Sequence, residues 1–134
     1  WLKYDINIDK AASMILEAYE KEPNDGVIID SLGWVYFKTG DYKNAIVYLE
    51  KASELNPQNA VISDHLGDAY WLGGRKNEAI FQWKRALKQE EDNEDLNLKS
   101  VRNKIENGLD QSNILTLKDE QLYQNLQELE NITN

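Results

Sequence analysis

The chain has 134 residues, enough for one modest domain, and 41% of them are hydrophobic and 29% charged, which is ordinary for a folded protein. It contains no cysteine, which excludes disulfides, thiolate metal sites and thiol catalysis. Its 15 basic and 24 acidic side chains give a net charge of −9. That charge disfavours binding to nucleic-acid phosphates and indicates either a solubilising acidic surface or a basic partner.

The first predicted helix covers residues 8–21. Its side chains Ala11, Ile15 and Ala18 follow a helical spacing, and Pro23 comes just after its end. Similar residues recur 34 positions later as Ala45, Leu49, Ala52 and Pro57. Because a fixed period of this length indicates a repeat protein, we interpret residues 1–25 as a partial repeat that keeps its second helix. Further repeats are expected before Trp1.

Two complete copies of the repeat follow, at 26–59 and 60–93. Residues recur at the same offset of 34 in the pairs Gly33/Gly67, Tyr36/Tyr70, Gly40/Gly74, Ala45/Ala79 and Ala52/Ala86. The apolar spacing in each copy predicts two helices separated by a glycine turn. Gly40 suits the left-handed conformation at a helix C-terminus, and Asp41 can cap the next helix.

The repeat register fades after the second copy. Residues 94–109 still predict an amphipathic helix, with Val101 and Ile105 on its apolar side and Lys104 among the polar residues around them. A solenoid needs an end helix with one apolar and one polar face. This segment is therefore interpreted as a capping helix.

Residues 110–134 predict a linker followed by an amphipathic tail helix. Leu122, Leu126 and Leu129 form one apolar stripe, and glutamine, asparagine and glutamate occupy the other face. Three interpretations remain open for this tail. The first is that the tail packs on the solenoid's own flank, the second that it covers a groove of the solenoid, and the third that it joins two chains.

The two complete copies resemble tetratricopeptide repeats, a family with a 34-residue pattern of Leu-Gly, Tyr, Ala, an aromatic residue, Ala and Pro. The matching residues are Leu32, Gly33, Tyr36, Ala45, Leu49, Ala52 and Pro57 in the first copy, and Leu66, Gly67, Tyr70, Ala79, Trp83 and Ala86 in the second. Ile29 and Ser63 stand where the family has tryptophan. Leu49 replaces the aromatic residue, and Glu91 replaces the second proline. The stretches DSLGW and FQWKRAL further resemble the C-terminal repeats of alphaproteobacterial members of this family.

The resemblance implies an all-α fold, a right-handed superhelix of helix pairs in which the first helix of each pair lines a concave groove. Such proteins are scaffolds that bind a peptide or helix of a partner protein in that groove. The resemblance therefore implies no enzymatic activity and no cofactor. It leaves open whether the bacterial parent protein is cytoplasmic or is periplasmic and envelope-associated.

On this fold, one stripe of each first helix should face the groove, because the Leu-Gly and Tyr positions belong to the core. The predicted groove residues are Val27, Asp30, Trp34, Phe37, Lys38, Val61, Asp64, His65, Asp68 and Trp71. Exposed tryptophans are frequent binding hot spots, and carboxylates favour Lys or Arg on a ligand. The stripe therefore predicts a groove for a peptide or helix with basic and apolar side chains. The alternative is that Trp34 and Trp71 pack between helices and that the aspartates are solvated.

Other kinds of site have weaker support in the sequence. His65 near Asp64 and Asp68 suggests a metal, but it is the only histidine and cysteine is absent. No catalytic or phosphate-loop motif is present. The basic residues from Arg75 to Lys88 are interpreted as a solvated face. Besides the groove, two functions stay open: a homo-oligomer formed through exposed flanks or the tail helix, and an accessory domain of a larger enzyme.

Overall fold

The computed structural model describes residues 8–89 and 97–109, and this part of the chain is all-α, as predicted. It contains six helices and no strand within those two ranges. The helices are α1 Ile8–Lys21, α2 Gly26–Lys38, α3 Tyr42–Leu55, α4 Ala60–Leu72, α5 Lys76–Gln89 and α6 Leu98–Asn107. The tail predicted at 110–134 and the start of the capping helix at 94–96 lie outside the described residues.

Side-chain caps and glycine turns set the helix boundaries. The carboxylate of Asp25 accepts hydrogen bonds from the amides of Val27 and Ile28 at the start of α2, and Asp41 and Asn59 cap α3 and α4 in the same way. Gly40 and Gly74 end the turns within the two pairs at φ of 85° and 86°, a conformation that favours glycine. The glycine prediction at position 40 is therefore confirmed.

The helices pack mainly on their neighbours in sequence, which is the arrangement of a helical repeat solenoid. The closest partners are α2 with α3 and α4 with α5. Between successive pairs, α3 packs against α4, and α5 packs against α6. A Cβ on Gly33 would lie 2.7 Å from Leu49 Cγ, and one on Gly67 would lie 2.4 Å from Trp83 Cδ1. These glycines are present because the second helix of each pair passes too close for a larger residue.

The solenoid core lies between the helix layers and continues from pair to pair. Its largest fully buried side chains include Trp34, Trp83, Phe37, Ile15, Leu32, Leu49 and Leu66. Val101 of α6 and Leu109, two residues after the end of that helix, extend this core at its C-terminal end. Among the residues that the structure describes, no helix has both the length and the apolar character needed to cross a membrane.

Candidate functional site along α2 and α4

The predicted groove residues separate into a buried set and an accessible edge. Val27 is 48% exposed, and Lys38, Val61 and Trp71 are half-buried. The buried members are Asp30, Trp34, Phe37, Asp64, His65 and Asp68. The structure thus places most of the stripe inside the protein. Trp34 is buried, as the packing alternative expected, whereas the groove prediction had assumed exposed tryptophans and carboxylates.

The first polar contact of the stripe joins α2 to α4. Asp30 Oδ1 lies 2.8 Å from His65 Nδ1, and both side chains are buried. The indole of Trp34 stacks on the imidazole of His65 with ring centroids 4.5 Å apart, and on the ring of Phe37 at the same distance. His65 is therefore held by a carboxylate at its edge and an aromatic ring on its face.

The second polar contact joins α4 to α6. Lys104 Nζ donates hydrogen bonds to Asp64 Oδ1 at 2.5 Å and to Asp68 Oδ1 at 2.7 Å, and Lys104 is only 4% exposed. Asp68 Oδ1 also accepts a hydrogen bond from Trp83 Nε1 at 3.0 Å. A buried cation is tolerated when it is paired and hydrogen-bonded in this manner.

Electrostatics keep Lys104 charged despite its burial. Loss of solvation by itself would lower the pKa of the Lys104 amine, but the negative charges and hydrogen bonds of Asp68 and Asp64 outweigh it. Its pKa is therefore raised above the ordinary lysine value. The ammonium group lies 5.4 Å from the centroid of the Trp83 ring, which adds a cation–π contact.

Lys104 is a buried residue whose position the sequence analysis did not predict. The sequence prediction put it among the polar residues around the apolar face of the capping helix, but it points into the core between α4, α5 and α6. One turn earlier, Val101 is also buried. The signal that could have revealed it is the pair Asp64 and Asp68, which stand one helical turn apart on α4 and need a cation if they are buried.

The stripe aspartates already contact basic side chains of their own chain. Asp30 contacts His65, and Asp64 and Asp68 both contact Lys104. The sequence had suggested that these carboxylates attract Lys or Arg from a ligand or are solvated. Their positions differ from both expectations, because Asp30 contacts His65 of α4, and Asp64 and Asp68 contact Lys104 of α6.

The same geometry bears on the metal hypothesis. His65 turns toward Asp30 on α2, whereas Asp64 and Asp68 turn toward Lys104 on α6. Within 8–89 and 97–109 no three His, Asp or Glu side chains converge on one point where a metal ion could bind.

Trp71 marks the end of the stripe nearest to α6. Its ring is tilted against that of Trp83 at 5.5 Å, and Lys76 Nζ lies 4.9 Å from its centroid. The backbone passes directly across the indole at Gly108, where a Cβ would lie 2.3 Å from Trp71 Cζ2.

A second accessible surface lies between α3 and the turn that joins α4 to α5. An open pocket of about 650 Å³ is lined by Tyr42, Lys43, Ile46, Val47, Leu72 and Arg75, among others. Val47 at its mouth is 55% exposed, and Phe81, at the equivalent position of the next repeat, is 64% exposed. The sequence analysis did not single out these two residues, although their shared position was visible from the 34-residue offset.

Two polar side chains of this pocket, Glu50 and Arg75, have partners within the chain. Tyr70 donates a hydrogen bond to Glu50 Oε2 at 2.5 Å, and burial together with this carboxylate raises the pKa of the Tyr70 hydroxyl above its ordinary value. Arg75 pairs with Glu78 and lies over the Tyr70 ring at 4.5 Å. Polar and apolar side chains thus share the lining of this pocket.

Comparison with known proteins supports the repeat assignment. Residues 31–59 match the family model described as "Tetratricopeptide repeat". No curated protein matches the chain. Among solved structures 34 chains match. One of them, named "MamA MSR-1 C2", superposes with a TM-score of 0.61 at 24% sequence identity, covering 95% of this chain and 70% of that one.

The matched residues 31–59 lie inside the first complete copy predicted from the sequence, and the same helix pair recurs in the second copy. At 24% identity the likeness to the solved structure establishes a shared fold. Residues 31–59 therefore match a tetratricopeptide repeat, and the chain as a whole shares a helical repeat fold with the solved structure.

Proposed function

We propose that this protein is an interaction module that binds a peptide or helix of a partner protein along the concave stripe of α2 and α4. Proteins with this repeat are generally protein–protein interaction scaffolds rather than enzymes. The proposal goes further by naming the surface and the character of its ligand.

One observation carries the proposal: the accessible edge of the stripe is apolar at matching positions of neighbouring repeats. Val27 and Val61 are 34 residues apart and each occupies the first turn of its helix, and Val27 is 48% exposed. At the other end of the two helices, Lys38 and Trp71 are half-buried. A segment that crosses both helices would meet these residues in turn.

The buried contacts of the stripe support the same proposal in another way. Asp30–His65 and Asp64–Lys104 fix the spacing of α2, α4 and α6, so the accessible edge is held in place before a ligand arrives. Preorganisation of this kind lowers the entropic cost of binding. Because these carboxylates already contact basic groups, we expect apolar side chains, rather than basic ones, to determine the choice of ligand.

The test compares two double variants of equal charge. Val27→Glu with Val61→Glu changes the proposed surface, and glutamate is well tolerated in the first turn of a helix. Val47→Glu with Phe81→Glu changes the two exposed apolar residues outside the stripe. Both proteins are used to capture partners from lysate of the source cell, and the affinity of any captured protein is then measured by calorimetry.

We expect the stripe variant to lose at least about tenfold in affinity, about 1.4 kcal/mol, and the other variant to remain within twofold of the parent. Circular dichroism should show that all three proteins are equally folded. Equal capture by the stripe variant, with loss in the Val47→Glu, Phe81→Glu variant, would move the binding site to the pocket surface and overturn the proposal.

A further inference from the structure

We propose that the outer surface of α1, α3 and α5 is an interface with a second copy of this chain, in which the acidic side of α1 lies on the basic side of α5 of the other copy. The three helices begin at Ile8, Tyr42 and Lys76, 34 residues apart, so they are equivalent elements of the repeat. The inference goes beyond the proposed function, because this interface lies outside the stripe of α2 and α4.

Exposed apolar side chains mark the outer surface of these helices. Of the five exposed large apolar side chains in 8–89 and 97–109, three lie on it: Leu16 of α1, Val47 of α3 and Phe81 of α5. Phe81 is the most exposed of them, at 64%. Because water-exposed apolar side chains gathered on one face indicate an interaction site, this surface is suited to contact another protein.

Contacts between the three helices join their outer sides into one surface. The rings of Tyr19 on α1 and Tyr48 on α3 meet edge to face with centroids 6.1 Å apart, and Lys51 Nζ donates a hydrogen bond to the Tyr19 hydroxyl at 3.0 Å. Arg85 on α5 donates a hydrogen bond at 2.7 Å to the carbonyl of Pro57, just after the end of α3. Helix α3 therefore lies in the middle of this surface, with α1 and α5 on either side.

The two sides of the surface carry opposite charges at equivalent positions. Glu17 and Glu20 on α1 stand 68 residues before Arg85 and Lys88 on α5. Helix α5 has four basic side chains and one acidic side chain, in a chain whose net charge is −9. Each copy therefore has both an acidic and a basic edge, and the partner with the matching charge is another copy of the same chain.

The charges that would meet are accessible and weakly engaged. Lys84, Lys88 and Glu20 are exposed, and none of them forms an ion pair with another side chain in the part of the chain that the structure describes. Glu17 lies 3.6 Å from Lys21, but these side chains are 65% and 63% exposed. Because exposed pairs of this kind contribute little to stability, Glu17 can exchange Lys21 for a basic group of a second copy at small cost.

Two-fold symmetry forms the contact between α1 and α5 twice. With the axis along α3, α1 of each copy lies on α5 of the other in equal register, because equivalent helices of a solenoid run in the same direction. Glu20 of one copy then faces Lys88 of the other, and Val47 meets its own counterpart on the axis. An axis across the helices would place α1 on α1 and α5 on α5, which like charges oppose.

The test reverses charges on one helix at a time in the full chain. The first variant has Glu17→Lys with Glu20→Lys, and the second has Lys84→Glu with Lys88→Glu. Sedimentation velocity over a range of concentrations gives the dimer dissociation constant. We expect each variant to raise that constant at least about tenfold, because like charges then face each other. Added salt should weaken the parent dimer as well.

Restoring the complementarity should restore the dimer. Two samples do this: a variant that combines all four reversals, and an equal mixture of the two variants. In both, opposite charges face each other again, so we expect a dissociation constant within about threefold of the parent value. The control is Lys99→Glu with Arg102→Glu, which reverses two exposed charges on α6 and gives the same net charge as the second variant. It should stay within about twofold of the parent.

Three results would overturn the inference: a parent chain that stays monomeric up to about 100 μM, a dimer that neither charge variant weakens, or a mixture of the two variants that does not dimerise. Circular dichroism confirms that each variant is folded. The Val27→Glu, Val61→Glu variant should dimerise like the parent, because its changes lie outside this surface. Loss of the dimer and loss of a stripe-dependent partner are therefore distinguishable.

Discussion

The junction between α2 and α4 and the junction between α4 and α6 use equivalent positions in different ways. Asp30 and Asp64 are 34 residues apart, and each reaches a basic side chain on the next helix of the groove layer. Four residues after these aspartates, the first repeat has Trp34 and the second has Asp68. Trp34 stacks on His65, whereas Asp68 adds a second carboxylate to Lys104.

The two junctions differ because one buries an imidazole and the other buries an ammonium group. An imidazole can be buried with one acceptor and an aromatic face, because it need not carry a full charge. A buried ammonium group needs more compensation, and two carboxylates supply it. Trp34 of the first repeat therefore accompanies a histidine on α4, and Asp68 of the second repeat accompanies a lysine on α6.

The largest expected effect is at the second junction. Lys104→Met leaves the carboxylates of Asp64 and Asp68 buried without their cation and should lower the free energy of unfolding by about 3–5 kcal/mol. Urea unfolding followed by circular dichroism measures the loss. Lys99→Met, an exposed position on the same helix, is the matched control and should change stability by less than about 0.5 kcal/mol. Similar values for the two variants would mean that the ion pairs do not hold α6.

The first junction should be less sensitive. His65→Phe keeps an aromatic ring for Trp34 to stack on but removes the partner of the Asp30 carboxylate, at a cost of about 1–3 kcal/mol. Adding Asp30→Asn should recover part of this loss, because a neutral amide costs less to bury than a carboxylate. If the double variant were less stable than His65→Phe alone, the account of this junction would be wrong.

A smaller contrast is expected at the helix crossings inside the two repeats. Gly67→Ala would bring a Cβ within 2.4 Å of the Trp83 ring, which also holds Asp68, and should cost about 1–3 kcal/mol. Gly33→Ala meets the branched side chain of Leu49 at 2.7 Å, which can rotate, and alanine regains helix propensity of about 1 kcal/mol. Thermal unfolding should therefore rank Gly67→Ala as the more damaging variant. The reverse order would contradict this reading of the two crossings.

Much of the architecture follows from the 34-residue offset and from local chemistry. The helix pairs, the glycine at position 40 and the cap at Asp41 could be predicted because each depends on residues close in sequence. The close crossings at Gly33 and Gly67 could be inferred from glycines inside helical patterns. The all-α repeat fold was confirmed on this basis.

The burial of the stripe residues could not be predicted in the same way. Periodicity identified which residues share a face, but it could not tell whether that face meets solvent or the next helix. The fate of Asp64 and Asp68 depends on Lys104, which is 40 and 36 residues away and lies beyond the point where the repeat register fades. A sequence offset carries no information about a partner that stands outside the repeat.

The most direct test of this account is a thermodynamic cycle between Lys104 and its two carboxylates. Unfolding free energies are measured for the parent, for Lys104→Met, for Asp64→Asn with Asp68→Asn, and for the variant that combines all three changes. We predict a coupling energy of about 2–3 kcal/mol, at the upper end of the range for contacting residues. Additive effects, with a coupling energy below about 0.5 kcal/mol, would show that the stripe aspartates do not hold the capping helix and would contradict the account.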